Sequence, residues 1–195
     1  MKIAVFASGG GTDFQSVIDG VESGLINAQI GLLVASKPGI YAIERAKKHG
    51  IPSYVFCKKD FLSGEEMFES IIRLLDENKI DLIVLAGYLT ILAPNIVKAY
   101  EGRIINIHPS LLPKFGGVGM YGIKVHEAVI AAGESESGCT VHYVDAGADT
   151  GKIIAQARVA VDKSDTPESL QKKVLSKEHE LLPEVVANLI EEMRK

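Results

Sequence analysis

The chain has 195 residues, 47% hydrophobic and 24% charged, which is typical of a folded globular domain and excludes a disordered or collagen-like chain. Its 21 lysines and arginines against 25 acidic residues give a net charge of -4, which excludes the broad basic face of a general nucleic-acid-binding protein. No apolar run is long enough to predict a membrane span. Two distant cysteines without a CxxC pattern favour neither a disulfide framework nor structural zinc, and a reducing cytoplasm is expected.

Short apolar runs alternate with helical patterns through the first half of the chain. Residues 2–7 predict a strand, a glycine turn follows, and apolar residues recur at helical spacing from Thr12 onward. Ser63 and Glu66 have the spacing of a capping box, which marks the start of another helix. The further predictions here are strands at 30–35, 53–57 and 81–86, and helices at 40–49, about 64–78, and 92–100.

The second half begins with a buried-looking strand at 103–108 that ends in polar residues. A loop rich in proline and glycine follows, and then come a helix at 124–132, strands at 140–144 and 153–161, and a C-terminal helix that starts near Thr166. Pro183 is expected to kink or split that last helix.

This alternation predicts an α/β fold with a doubly wound, mostly parallel sheet, helices on both faces and a hairpin-like extension near residues 138–162. We expect a single domain over residues 1–195. Ligands of such sheets bind beyond the carboxyl ends of the strands, which selects the loops at 8–13, 87–90 and 106–122.

The turn at residues 8–12 joins the first strand to the first helix, where backbone N–H groups and the helix dipole favour an anion. It is not a dinucleotide fingerprint, because the third glycine would fall at Phe14, and no P-loop lysine follows. One phosphate of a mononucleotide fits better. The alternative is a tight turn that needs glycines but binds nothing, and the carboxylate of Asp13 argues against an anion nearby.

Asn106 and His108 occupy the same face of their strand, so an amide and an imidazole lie together at its end. This pair can bind a carbonyl oxygen that becomes an oxyanion, although His108 could instead simply cap the strand. Asp149 lies in a turn whose aspartates often bond their own backbone. If it reaches His108, we expect it to raise the pKa of the ring, keep it charged and accept a proton, while its own pKa is lowered.

Five segments resemble the phosphoribosylglycinamide formyltransferases, within the folate-dependent formyltransferase superfamily, and the resemblance runs nearly end to end. We therefore expect neither the extra C-terminal domain of methionyl-tRNA formyltransferases nor the N-terminal regulatory domain of formyltetrahydrofolate deformylases. The segments are Asn-Ile-His-Pro-Ser-Leu-Leu-Pro at 106–113, Leu-Ala-Gly-Tyr at 85–88, Gly-Cys-Thr-Val-His-Tyr-Val-Asp at 138–145, Asp-Thr-Gly at 149–151, and Glu178-His179.

The resemblance implies a Rossmann-like enzyme that transfers a formyl group from 10-formyltetrahydrofolate to the amine of glycinamide ribonucleotide in de novo purine biosynthesis, without a metal. It implies a nucleotide-phosphate half at about 1–100 and a folate and catalytic half at about 101–195, with His126 structural. The implied catalytic residues are Asn106, His108 and Asp149; the substrate residues are Gly10, Gly11, Thr12 and Asp13 for the phosphate and Glu178 for the ribose; the folate residues are Leu85, Leu89, Thr90, Leu92 and Ala146.

The sequence departs from the family pattern at three places. Asp13 stands where asparagine is usual, Leu89-Thr90 where methionine and arginine are frequent, and the loop at 116–122 is longer and richer in glycine. Alternatives to the transferase are a formyltetrahydrofolate hydrolase, a non-enzymatic nucleotide-sensing domain, and a serine hydrolase built from Ser110, His142 and Asp149. The expected partners are the small-molecule substrates, and the sequence is compatible with a homodimer.

Overall fold

Seven strands form one sheet in the computed structural model, which describes all of residues 1–195. A short 3-10 turn lies at Lys58–Asp60. None of the helices is long and apolar enough to cross a bilayer. The strands are β1 (Lys2–Ala7), β2 (Gln29–Ala35), β3 (Ser53–Val55), β4 (Leu82–Leu85), β5 (Ile104–His108), β6 (Glu136–Tyr143) and β7 (Ile153–Ala160), and the helices are α1 (Thr12–Glu22), α2 (Tyr41–Lys48), α3 (Gly64–Glu77), α4 (Pro94–Ala99), α5 (Ile123–Ala131) and α6 (Pro167–Glu192).

The strand order is β3-β2-β1-β4-β5-β6-β7. The first five strands in this order are parallel, β6 is antiparallel to β5, and β7 is antiparallel to β6. The chain winds outward from β1 to β3 and then returns to place β4 on the other side of β1. This reversal confirms the predicted doubly wound sheet with a hairpin extension, and it opens a crevice between β1 and β4.

The sheet is buried on both faces. One face carries α1, α2, α5 and α6 over a core of 28 buried residues, and the other carries α3 and α4 over a core of 15. Alternate residues of β1 divide between the two, with Val5 in the first core and Phe6 in the second. Because both faces are apolar, the parallel strands lack polar alternation, as the sequence predicted.

Local signals set several boundaries. The Ser63 hydroxyl accepts a hydrogen bond from the Glu66 N–H at 3.1 Å and starts α3 as predicted. The Glu66 carboxylate accepts from the Leu62 N–H at 2.7 Å, one residue before the position that a capping box uses. β6 begins four residues before the predicted strand because its start pairs with β7, from Glu136 opposite Ala160.

Pro183 does not split the last helix, one of the two effects expected of it, because α6 continues through it as one helix of 26 residues. The proline removes one backbone hydrogen bond. The helix persists because residues around it, including Leu182 and Val186, are buried in the larger core. Pro183 also lies at a close crossing, since a Cβ built on Gly20 of α1 would be 3.3 Å from the proline Cβ. Tertiary packing therefore outweighs the local cost.

Replacing Leu182, which is fully buried, with alanine tests how much α6 contributes to the fold. We expect Leu182→Ala to lower the free energy of unfolding by about 2–5 kcal/mol through lost apolar burial and the cavity left behind. Chemical denaturation measures it. The matched control is Leu62→Ala at a side chain 97% exposed, which should change the free energy by less than about 0.5 kcal/mol. Equal effects would contradict the assignment of α6 to the core.

Candidate active site

The three predicted loops meet at one edge of the sheet. Phe6 is paired with Leu85, and Leu85 in turn with Asn106, so the carboxyl ends of β1, β4 and β5 lie side by side. The Ser8 N–H donates to the Gly87 carbonyl at 3.0 Å, and the Ser8 hydroxyl accepts from the Leu89 N–H at 2.9 Å. These bonds tie the glycine turn after β1 to the loop after β4, so substrates bound by the two would lie in one crevice.

Asn106, His108 and Asp149 converge as predicted, and His142 joins them. An oxygen of Asp149 lies 3.5 Å from His108 Nδ1, and the other lies 3.6 Å from His142 Nε2. The Asn106 amide nitrogen is 3.1 Å from His142 Nε2. His108 and His142 are only 4% and 2% exposed, while Asn106 and Asp149 are half-buried.

The tautomer of His108 follows from its contact with the loop after β5. Nε2 lies 2.9 Å from the Phe115 carbonyl, which can only accept, so this nitrogen carries a hydrogen. Burial lowers the pKa of His108 below 6.5, and this effect outweighs the opposing charge of Asp149. The expectation of a raised pKa is therefore wrong, because desolvation exceeds the attraction across 3.5 Å. At neutral pH the ring is uncharged and Nδ1 is a free base.

Asp149 is an ionised carboxylate. Burial raises its pKa, but contacts with His142, with the Gly117 N–H at 2.8 Å and with His108 together lower it more, so the pKa lies below its usual value. The predicted direction is thus confirmed. Asp149 also has a φ of 57°, in the left-handed region that aspartate tolerates better than most residues.

The other aspartate of this turn behaves as the alternative interpretation expected. One oxygen of Asp145 accepts from the Gly147 N–H at 2.9 Å and from the Thr150 hydroxyl at 2.6 Å. Asp145 therefore folds the turn, and Asp149 extends from it to the histidines.

The hydrogen bonds of His142 orient Asn106. His142 Nδ1 lies 2.9 Å from its acceptor, the Tyr143 carbonyl, and Nε2 lies within 3.1 Å of the Asn106 amide nitrogen and 3.6 Å of Asp149. One N–H of that amide is then left for a ligand. From the sequence alone, His142 has a role only in the hydrolase alternative, because its place opposite Asn106 depends on the pairing of β5 with β6.

The loop after β5 is closed over the cluster. The Thr140 hydroxyl donates to the Ser110 carbonyl at 2.6 Å and accepts from the Leu112 N–H at 3.1 Å, which anchors the start of the loop. A Cβ built on Gly116 would overlap the Leu112 side chain and lie 3.3 Å from the Cβ of Asp149. Glycine at this position therefore allows the loop to pass against Asp149.

Two sequence hypotheses are resolved by burial. Ser110 is fully buried and its hydroxyl donates to the Lys114 carbonyl at 2.6 Å, which argues against a serine hydrolase. His126 on α5 is 1% exposed, and burial, with a smaller contribution from His108, lowers its pKa to about 4. His126 therefore forms an uncharged part of the wall near His108, in line with the structural role expected for it.

The glycine turn leaves the start of α1 open. Gly11 has a φ of 70°, and a Cβ there would lie 2.8 Å from the Cβ of Ala42, so this glycine is required by backbone conformation and by packing. Gly10 faces open space, and its carbonyl accepts from Arg45 Nε at 2.9 Å. No side chain caps the helix, so N–H groups of its first turn, where the exposed Thr12 lies, are available to an anion.

Asp13 and Glu178 come together between α1 and α6. Glu178 is 7% exposed, and an oxygen of Asp13 lies 3.6 Å from Nε2 of the adjacent His179. Burial raises the pKa of Asp13 to about 6. Burial also raises the pKa of Glu178 well above 4.5, and the charge of Asp13 raises it further. Both residues assigned by the resemblance thus lie at one place, beside the start of α1.

The residues expected at the folate differ in exposure. Leu85 is 6% exposed and belongs to the second core, so it supports the loop from beneath. Leu89 is 57% exposed and presents its side chain at the crevice edge, while Thr90 and Leu92 are half-buried. Ala146 lies exposed on the turn that carries Asp149. No group of three or more histidine, cysteine, aspartate or glutamate side chains is arranged to hold a metal ion.

Comparison with known proteins gives a consistent result. Residues 1–186 match the family described as formyl transferase. The chain is 45% identical over 199 residues to the chloroplastic phosphoribosylglycinamide formyltransferase of Arabidopsis thaliana, covering 100% of this chain and 67% of that protein. It is 41% identical to the trifunctional purine biosynthetic protein adenosine-3 of Drosophila melanogaster, covering 97% of this chain and 14% of that protein.

A solved structure extends the match to three dimensions. The crystal structure of glycinamide ribonucleotide transformylase 1 from Geobacillus kaustophilus aligns with a TM-score of 0.91 and 43% identity, covering 97% of this chain and 98% of that one. The chain therefore spans part of the longer plant and insect relatives and nearly all of this bacterial one.

The contact between Asp149 and His108 can be tested by titration. Asp149→Asn keeps the shape but removes the charge that partly offsets burial, so the pKa of His108 should fall further below 6.5. Histidine NMR shifts followed against pH measure it. Asp145→Asn is the matched control on the same turn and should leave the His108 titration unchanged. An identical His108 pKa in wild type and Asp149→Asn would show that the two groups are not coupled.

Proposed function

The chain belongs to the formyl transferase family, and from this premise we propose that it transfers the formyl group of 10-formyltetrahydrofolate to the amine of glycinamide ribonucleotide, in purine biosynthesis. The observation that carries the proposal is the cluster at the crevice formed by buried His108 and half-buried Asn106 and Asp149. An amide donor, a neutral base and a carboxylate in contact suit attack of an amine on a formyl carbon.

The reaction begins with attack of the substrate amine on the formyl carbon, which forms a tetrahedral intermediate with negative charge on the former carbonyl oxygen. The free N–H of Asn106 donates to that oxygen as its charge develops. Because the amide is already held by His142 at 3.1 Å, it needs little reorganisation to do so.

Proton transfer follows from the neutral state of His108. Its free Nδ1 accepts the proton that the attacking amine must lose, and the ring becomes an imidazolium facing Asp149. The carboxylate stabilises this charge while the intermediate lasts. His108 then gives the proton to the departing folate nitrogen, the carbon–nitrogen bond to folate breaks, and the enzyme returns to its starting state.

The closed loop favours transfer over hydrolysis. The Phe115 carbonyl and the Gly117 N–H contact His108 and Asp149 directly, so bulk water has little access to the cluster. The amine of a bound ribonucleotide is therefore the nucleophile that the site favours.

The two substrates would occupy opposite sides of the cluster. We place the phosphate at the N–H groups of Thr12 and Asp13 and the ribose beside Glu178. The pterin lies along Leu89 and Leu92 and under the turn at 145–151. Both cysteines are buried and unpaired, which agrees with a reducing compartment such as the cytoplasm.

A two-substrate assay tests the proposed activity. Wild type should formylate glycinamide ribonucleotide and release little formate when the amine substrate is omitted. Asn106→Ala should lower kcat by roughly 10²–10³-fold, because one oxyanion donor is lost. Asn27→Ala, at an exposed residue before β2, is the control and should retain full activity. Formate release as fast as formyl transfer would favour the hydrolase. Saturable ligand binding without either reaction would favour a nucleotide sensor.

Paired substitutions should separate the two substrate sites. Gly10→Leu places a side chain in open space at the turn and should raise KM for the ribonucleotide by about tenfold or more, a change of about 1.4 kcal/mol, without affecting the folate. Leu89→Asp should raise KM for the folate without affecting the ribonucleotide, because it places a charge against the pterin. Leu62→Asp, far more exposed, is the control for the added charge. Equal changes in both KM values for either variant would contradict the placement.

A further inference from the structure

Asp13 and Glu178 are carboxyl groups without partners. Neither side chain forms a hydrogen bond. Glu178 is only 7% exposed, and the Asp13 oxygen nearest His179 is buried as well. Buried ionised carboxylates are normally paired with a cation or several donors. The pair therefore requires another way to lower its charge.

No cation beside the pair supplies it. On α6, Nε2 of His179 is 3.6 Å from Asp13, beyond a hydrogen bond, and burial together with Arg45 lowers the pKa of His179, so this ring is neutral at pH 7 and above. On α2, the Arg45 guanidinium is directed to the Gly10 carbonyl and to Gln15.

The remaining ionisable neighbours supply no free cation. On β6, burial raises the pKa of the Cys139 thiol, and Glu178 and Asp13 raise it further. Asp19 on α1 lies near His179, whereas on α6 Glu180 and Lys177 lie near Cys139 and pair with each other at 2.7 Å. The surroundings from α1, α2, α6 and β6 thus add no positive charge that is free to pair with Asp13.

Building on the proposed ribonucleotide site, we propose that Asp13 binds the substrate phosphate as the neutral acid, its O–H donating to a phosphate oxygen, and that burial without a hydrogen-bond partner keeps this proton on Asp13 before substrate arrives. An ionised Asp13 would place a negative charge beside the phosphate at the start of α1. A protonated one supplies a donor at the same place. The identity of residue 13 therefore makes substrate binding depend on pH in a way that an asparagine would not.

The direction of this dependence follows from the ionisation of the pair. Asp13, with a pKa raised to about 6, is protonated at pH 5.5 and ionised at pH 8. Ribonucleotide binding must then take up a proton at the higher pH, and the affinity falls by up to tenfold for each pH unit above the pKa. Asp13→Asn has a permanent N–H donor and escapes this loss.

Calorimetry with glycinamide ribonucleotide alone, without folate, tests the proposal. The substrate's own ionisation is common to all proteins, so the informative quantity is the ratio of Kd in wild type to Kd in Asp13→Asn. We expect a ratio near one at pH 5.5 and roughly tenfold or more at pH 8, with proton uptake at pH 8 by wild type only. Asp19→Asn, an exposed carboxylate on the same helix, should follow wild type.

The outcomes distinguish the proposal from the function on which it rests. A Kd ratio constant with pH, together with binding and normal formyl transfer, would overturn the role of Asp13 and leave the transferase intact. Failure of wild type and Asp13→Asn to bind the ribonucleotide at any pH would overturn the function and this inference together.

Thermal unfolding of the free protein gives a second test that needs no ligand. A carboxyl whose pKa is raised on folding stabilises the protein below its unfolded value, 3.8 for Asp13, and this contribution is lost as pH rises through about 6. The Tm of wild type should therefore fall relative to that of Asp13→Asn between pH 4 and pH 8. A constant difference in Tm across this range would contradict a buried Asp13 that is protonated at low pH.

Discussion

The hydrogen bond from His108 Nε2 to the Phe115 carbonyl is the contact on which the site depends. It fixes the tautomer, so Nδ1 is the nitrogen that faces Asp149. It also holds the loop after β5 against the ring. Burial lowers the pKa of His108 although this hydrogen bond by itself favours the charged ring. A base that is neutral at rest and gains a charge only during the reaction is suited to moving a proton between two nitrogens.

The same physical constraint acts at the other end of the crevice. Burial disfavours charge at His108 and at the Asp13–Glu178 pair, and in neither place does a nearby opposite charge fully compensate. Asp149 is the exception, because the Gly117 N–H and two histidines surround its oxygens. The crevice thus combines one ionised carboxylate with groups whose charged forms are disfavoured by burial, which is the arrangement expected of a functional site.

Much of this arrangement follows from the sequence. Apolar runs and helical spacing predicted the doubly wound sheet, and the rule that ligands bind at the carboxyl ends of strands selected the loops that meet at the crevice. Asn106 and His108 follow from the period of a strand. Asp149 could be placed beside them only by resemblance, because its approach depends on the antiparallel pairing of β5 and β6.

The sequence could not give quantities that depend on tertiary burial. The charge of His108 was predicted from one expected neighbour, whereas desolvation by the whole loop determines its pKa. Pro183 was expected to interrupt α6, but packing of the surrounding residues keeps the helix whole. Gly11 was predicted to contact the phosphate, and its close packing against Ala42 shows that the fold also requires glycine there. Each difference arises where long-range packing outweighs a local preference.

The pH dependence of kcat, measured with both substrates saturating, tests the neutral-base account most directly. Because His108 must be uncharged to accept the amine proton, kcat should rise as pH increases through a value below 6.5 and stay level to pH 8. Saturating ribonucleotide removes the contribution of its binding step. If the charged ring were instead the active form, kcat would fall between pH 6 and pH 8, and that result would contradict the account.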